Sequence, residues 1–178
     1  MTLADQLRDF WKSSRDAVDR QFKRTLPFGD YVVDRWEKAR SLGFGEGASI
    51  YDSALVLGDV TVGRETWVGP NVVLDGSGGL AIGEFCSISA GVQIYSHDTV
   101  DWAISGGRME PDRVPTRIGD RCYIGPNAIV AKGVTIGEGC VVGAGSVVLC
   151  DLPPHSKAVG APARVIGHTS ERIADIGR

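Results

Sequence analysis

The stretch Ile118-Gly119-Asp120-Arg121-Cys122-Tyr123-Ile124-Gly125-Pro126-Asn127-Ala128-Ile129-Val130 decides the fold, because an aliphatic residue returns in it every six positions. The phase carries on through Ile136, Val142 and Val148. Upstream it holds at Ile82, Ile88 and Ile94, and before that at Ile50, Val56, Val62, Val68 and Leu74. Between Leu74 and Ile82 it slips by two residues, around Gly76, Gly78 and Gly79. The position after the aliphatic is often glycine, as at Gly63, Gly83, Gly119, Gly137 and Gly143. The position four after it is small or branched: Ala54, Thr66, Val72, Cys86, Cys122, Ala128, Val134, Cys140 and Ser146. Neither the helical period nor an isolated alternating strand explains this spacing. A parallel β-helix does. Each hexapeptide makes one short strand and one corner, and stacked coils bury the repeated aliphatics in a continuous core. Glycines relieve the crowding at corners where φ is positive, and neighbouring coils are expected about 4.8 Å apart.

Working outward, the repeat accounts for three of the four cysteines. Cys86, Cys122 and Cys140 take equivalent inward positions and read as core thiols. Cys150 falls outside that set and reads as a surface or corner thiol. No Cys-x-x-Cys pair is present, so the tight zinc or redox spacing is missing.

Residues 1–45 follow a different rule and hold only three of the 24 glycines. Leu3, Leu7, Phe10, Trp11, Val18 and Phe22 fall at helical spacing, Thr2 and Asp5 form a start signal, and Pro27 and Gly29 end the helix. Tyr31, Val32 and Trp36 suggest a second short helix, closed by Gly43 and Gly45. The expected organisation is a helical cap over 1–45, a solenoid over 46–168 interrupted by a loop at 95–117, and a tail over 169–178.

Composition narrows the function. The length of 178 residues suits one domain with a real core, and 43% hydrophobic against 23% charged residues argues against disorder. A net charge of −3 makes nucleic acid or an anionic membrane a poor partner. No apolar run approaches a membrane span, and no secretory signal is visible at the first residues. Reduced thiols and a cytoplasmic location are the expectation.

The run from Ile118 to Asn127, Gly133-Val134-Thr135-Ile136-Gly137, Val142 to Val148, Pro153-Pro154, and Val159-Gly160-Ala161-Pro162-Ala163-Arg164-Val165-Ile166-Gly167 strongly resembles the hexapeptide-repeat acyltransferases. Within them it is similar to the sugar O-acetyltransferases, including maltose and galactoside acetyltransferases and the enzymes that decorate surface polysaccharides. The resemblance covers roughly residues 46–168. It implies a left-handed β-helix of three-sided coils, acetyl-CoA as acyl donor, no metal, a small saccharide acceptor, and a homotrimer with active sites between subunits.

The long loop opens with His97, and the resemblance places the catalytic histidine there. A hydroxyl acceptor is almost fully protonated at neutral pH. An imidazole, with an ordinary pKa near 6.5, can take that proton as the oxygen attacks the thioester and return it to the departing thiolate. Asp98 and Glu110 are candidates for orienting the ring. Pro126, Gly143, Ala144, Leu149, Cys150 and Arg164 match or flank positions that line the coenzyme groove in the family. Small residues at 143–145 let a pantetheine arm lie close to the backbone, and Arg164 is a candidate phosphate partner. Asn71 and Asp75 match the sugar-contacting region, and Trp102 offers a face on which a sugar ring can stack.

Two rival readings accompany this one. In the first, the acceptor is instead the amino group of a nucleotide-linked amino sugar. In a different class, the solenoid would be a silent scaffold or binding module, for which an interruption at His97 has no use. A zinc enzyme on the same fold would need three suitably placed histidines, and His97 has no histidine within fifty residues.

Overall fold

Strand registers in the computed structural model, which describes residues 1–169, give the coil directly. Of the tail expected at 169–178, only Thr169 lies among the described residues. Tyr123 pairs with Val141, Ile129 with Val147 and Arg117 with Thr135, all in parallel, so one coil is 18 residues and three hexapeptides long. The body is a left-handed parallel β-helix of hexapeptide repeats.

One face stacks Ile50, Val68, Ile88, Ile124, Val142 and Ala158. A second stacks Val56, Leu74, Ile94, Val130 and Val148. The third stacks Val62, Ile82, Ile118 and Ile136, and a single bridge extends it to Leu152. Several offsets depart from the rule: Val142–Ala158 and Ile136–Leu152 fall two residues short of a coil, and two others lengthen it. Val56 pairs with Leu74 but Val62 pairs with Ile82, which registers the two-residue slip at the glycines. Ile88 pairs with Ile124, a spacing of two coils, because the loop is inserted between them.

The repeated aliphatics form the core: Ile50, Leu74, Ile88, Ile94, Ile124 and Ile136 are wholly buried. Each such side chain contributes about 1.5–3 kcal/mol by leaving water. The small inward positions have a second duty. Cys86, Cys122 and Cys140 each aim Sγ at a carbonyl on the next coil, those of Gly119, Gly137 and Pro153, at 3.1 Å. Thr66 makes the same bond to the Gly83 carbonyl at 2.8 Å. All three of these thiols are buried and Cys150 is exposed.

The N-terminal segment divides its work. Helix α1 (Leu3–Phe22) begins with a capping box between Thr2 and Asp5, and none of its residues is buried. Leu3, Leu7, Phe10 and Phe22 stay exposed, so α1 does not cover the solenoid. The second expected helix is two, α2 (Gly29–Val32) and α3 (Arg35–Ser41). They separate where the Asp34 carboxylate accepts from the amides of Trp36 and Glu37 to cap α3. Closure of the first coil falls to α3 and the turn at its C-terminal end. Ala39 and Phe44 are buried, and Lys38 Nζ donates to the carbonyls of Tyr51, Asp52 and Ala54.

The loop is built rather than irregular. Strands His97–Asp98 and Asp112–Arg113 pair as an antiparallel hairpin, with helix α4 (Val100–Ile104) between them.

Candidate active site

The glycine slip and the loop meet at one place. Val73 pairs with Gln93, so the chain from Asp75 onward runs beside Tyr95, Ser96 and His97 of the next coil. Asp75 is wholly buried. Ser77 N–H donates to its Oδ1 at 3.0 Å and Ser96 N–H to its Oδ2 at 3.3 Å. Ser96 Oγ donates to the Asp75 carbonyl at 2.6 Å and accepts from Gly78 N–H at 2.8 Å. A Cβ on residue 78 would lie 2.2 Å from the Ser96 carbonyl oxygen, so only glycine permits this approach. The remaining partner of the Asp75 carboxylate is His97 Nδ1, which it holds in a hydrogen bond.

Electrostatics fix the roles in that bond. Burial pushes the Asp75 carboxyl up, but hydrogen bonds from Ser77, His97 and the Ser96 amide outweigh it, and the group falls from 3.8 to about 2. Asp75 is therefore an anion at neutral pH and accepts, so His97 Nδ1–H donates. The ring is held in the tautomer that leaves Nε2 with a free lone pair. His97 keeps 30% of its side chain exposed. It lines an open cleft of about 530 Å³ with Tyr95, Val100, Ile129, Ala131 and Lys132.

This geometry corrects two expectations. Asp75 is not a sugar contact, because it is wholly buried and its carboxylate is spent on Ser77, Ser96 and His97. Nor do Asp98 and Glu110 orient the imidazole. Asp98 bonds Lys132 at 2.9 Å and the Val100 amide at 3.1 Å, and Glu110 is exposed on the loop. Sequence reasoning also passed over Ser77, Ser96 and Lys132. The available signal was the glycine slip itself, which breaks the repeat one coil below His97.

The other candidate residues ring the same face of the prism. Pro126, Gly143 and Ala144 lie on the corner where the first face turns into the second, and the Pro126 carbonyl accepts from Gly145 N–H at 2.8 Å. Ala144 is exposed, and the space beside Gly145 is open. Leu149 and Cys150 lie on the opposite corner, above Lys132 and Ser96, and both are exposed. Arg164 is exposed in the antiparallel strand Ala163–His168, opposite Val159, with Nη1 donating to the Ala163 carbonyl. Asn71 stands on the first corner at φ 56, in line with Asn127 and Gly145, across the width of the face from His97. Trp102 is half-exposed on α4 and lies against Gly107. Among the described residues, no cluster of three or more His, Cys, Asp or Glu side chains is arranged to hold a metal ion. No helix among them is long and apolar enough to cross a membrane.

Residues 115–150 match the family described as bacterial transferase hexapeptide, six repeats. The chain is 45% identical over 100 residues to probable serine acetyltransferase 1 of Oryza sativa subsp. japonica, over 56% of this chain and 32% of that one. It is 36% identical over 152 residues to serine acetyltransferase of Bacillus pumilus, over 85% of this chain and 60% of that one. The chain thus spans about a third of the length of the first relative and 60% of the second. Among solved structures it is similar to a hexapeptide-repeat acetyltransferase of Vibrio cholerae complexed with acetyl-CoA. The TM-score is 0.68 at 27% identity, over 93% of this chain and 88% of that one. It is also similar to AntD, an N-acyltransferase of Bacillus cereus solved with dTDP and 3-hydroxybutyryl-CoA. Here the TM-score is 0.66 at 25% identity, over 75% and 76% of the two chains. The repeat at residues 115–150 and the 18-residue coil are thus those of the bacterial transferase hexapeptide model, and the chain is similar to hexapeptide-repeat acetyltransferases.

Proposed function

We propose that this protein transfers an acetyl group from acetyl-CoA to a hydroxyl of a sugar or saccharide, with His97 as general base. The observation that carries the reading is the His97–Asp75 pair at the edge of the cleft. Nε2 takes the hydroxyl proton as the oxygen attacks the acetyl carbon. The tetrahedral intermediate collapses, the carbon–sulfur bond breaks, and the imidazolium returns the proton to the thiolate. Asp75 holds the ring and stabilises its positive charge without itself taking a proton. The Vibrio cholerae neighbour's acetyl-CoA supports the donor, and the serine acetyltransferase relatives support a hydroxyl acceptor.

The coenzyme is assigned to the exposed corners, with Gly143, Ala144 and Pro126 against the pantetheine arm and Arg164 toward phosphate. Leu149 and Cys150 would make their contacts through backbone. Asn71 and Trp102 are assigned to the acceptor. In this reading three copies assemble through the face beside His97, whose outer column is aliphatic and not buried at Leu55, Val73, Ile129 and Val147, with Gln93 as its polar member. Helices α2 and α3 serve as the cap of the first coil.

A second reading, transfer to the amino group of a nucleotide-linked amino sugar, draws on the likeness to AntD. The test is calorimetric titration of acetyl-CoA into wild type and His97→Ala, followed by thiol release with saccharides, serine and nucleotide-linked amino sugars. Saturable binding to both proteins, with turnover in wild type alone, supports the reading. The acceptor that turns over chooses among hydroxyl and amine. No binding at millimolar coenzyme overturns the reading and leaves a solenoid scaffold.

A further inference from the structure

Beyond the His97–Asp75 pair, the loop carries a second charged arrangement. Asp98 and Asp112 stand directly opposite each other across the antiparallel hairpin. Like charges in cross-strand register repel, and a pairing of two residues per strand has little to resist that. Lys132 answers the repulsion from outside the loop. It follows the strand Ile129–Val130 on the coil above, and its Nζ lies 2.9 Å from Asp98 Oδ2 and in contact with Asp112 Oδ2. Hydrogen bonds that Lys132 donates, first to Asp112 and then to Asp98, hold the ammonium in its charged form, and the bond from Lys132 lowers Asp98.

The neighbouring ties lie at the stem. Val114 N–H donates to the Ser96 carbonyl at 2.9 Å, and Thr116 Oγ1 to the Tyr95 carbonyl at 2.7 Å. These close the loop where it leaves the coil. Lys132 instead grips both strands of the hairpin itself, one residue beyond His97. His97 and Lys132 also line the same cleft.

We propose that Lys132 is a positioning residue: a clamp from the coil that joins Asp98 to Asp112 and so holds the His97 strand at the height where Nδ1 meets Asp75. The ammonium is committed to two carboxylates, so it is not a binding group for an anionic substrate. The catalytic consequence rests on His97 being the base, whereas the clamp does not.

The test compares wild type, Lys132→Ala, Lys132→Arg and the double variant Lys132→Ala/Asp112→Asn. The first arm is amide hydrogen exchange with no substrate present. Lys132→Ala should exchange about tenfold faster across residues 97–113 while Ile118–Val148 keeps its protection. Lys132→Arg should restore the hairpin, and the double variant should recover part of it because the like-charge pair is gone. The Nδ1 proton of His97 should be sharp in nitrogen-edited spectra of the wild type, broaden in Lys132→Ala and return in Lys132→Arg.

The second arm is acetyl transfer. Lys132→Ala should lower kcat about 10–100-fold, as expected for a reacting group displaced by about 1 Å, while the KM for acetyl-CoA stays within about twofold. Unchanged exchange and an unchanged Nδ1 proton in Lys132→Ala would overturn the clamp. A loosened hairpin with full kcat would overturn its bearing on catalysis. A wild type inactive with every acceptor would speak against the transferase reading, and the exchange and proton measurements would still decide the clamp.

Discussion

Asp75 and His97 lie 22 positions apart, in consecutive coils, and join a wholly buried carboxylate to the Nδ1 of a part-exposed imidazole. A carboxylate with that many donors is an anion at any ordinary pH, so it dictates which imidazole nitrogen carries the proton. The solenoid makes the pairing cheap. Two residues so far apart in sequence are neighbours because the coil returns at a fixed height, and the pairing of Val73 with Gln93 sets Asp75 beside the start of the loop.

Replacing His97 by alanine removes the proposed base and leaves the corners proposed for the coenzyme untouched. Acetyl transfer should fall about 10²–10⁴-fold, with acetyl-CoA binding unchanged by calorimetry. Loss of binding together with turnover would show that His97 supports the coenzyme site rather than the chemistry.

Asp75→Asn keeps the shape and changes the proton. An amide offers its N–H₂ to Nδ1 and favours the tautomer protonated on Nε2, which cannot accept from a hydroxyl. The expected loss in kcat is about 10²–10⁴-fold, with the KM for acetyl-CoA close to wild type. Glutamate at the same position should not rescue, because at this wholly buried site a further methylene displaces the carboxylate from Ser77, Ser96 and His97.

The same carboxylate predicts an acid limit. Its folded value of about 2 is below the ordinary 3.8, so it stabilises the fold above pH 3.8, and that stabilisation is lost as pH falls through 2. The shift corresponds to about 2 kcal/mol. Denaturant midpoints between pH 5 and pH 2 should therefore fall more steeply in wild type than in Asp75→Asn. Parallel curves would mean that other carboxylates govern acid unfolding.

Gly78→Ala tests how the pair is assembled. The new Cβ would meet the Ser96 carbonyl oxygen at 2.2 Å, and neither backbone can move without breaking the Gly78–Ser96 bond. A stability loss of about 1–3 kcal/mol is expected from the overpacking, read as a lower Tm, with kcat reduced further because Ser96 also contacts Asp75. An unchanged Tm would show that the slip is slack.

The repeat could be read from residues alone because its signal is redundant. Ile118, Ile124, Val130, Ile136, Val142 and Val148 all report the same inward direction, and the structure buries every one of them. His97 stood out because it broke that pattern. Asp75 was misread for the opposite reason. Next to Gly76 it looks like an ordinary corner residue, and its burial depends on the chain crossing Ser96 one coil later, a contact that no local pattern encodes. Lys132 was hidden in the same way. It occupies a routine corner of the repeat, and its partners Asp98 and Asp112 come from an insertion whose hairpin register the sequence does not announce. Helix α1 shows the converse limit. Its apolar periodicity was correct, yet periodicity states only that a face exists, and on this chain no part of that face is buried.

The thiols supply a test of both the core and the corner proposed for the coenzyme. Cys86, Cys122 and Cys140 are buried and Cys150 is exposed. Hydrogen bonding within the stack, chiefly with Cys122, holds the Cys140 thiol below its ordinary value, which on its own would make it reactive. Burial denies a reagent access to it, so reactivity in the folded protein should follow exposure rather than acidity. Native protein should therefore release one equivalent of thionitrobenzoate quickly, from Cys150, and the full four cysteines should react only in denaturant. Acetyl-CoA should slow the fast phase if the coenzyme passes Leu149 and Cys150, and Cys150→Ser should abolish that phase while sparing acetyl transfer if the contact is through backbone. A fast phase indifferent to saturating acetyl-CoA would move the coenzyme off this corner and onto the Pro126–Ala144 side of the face.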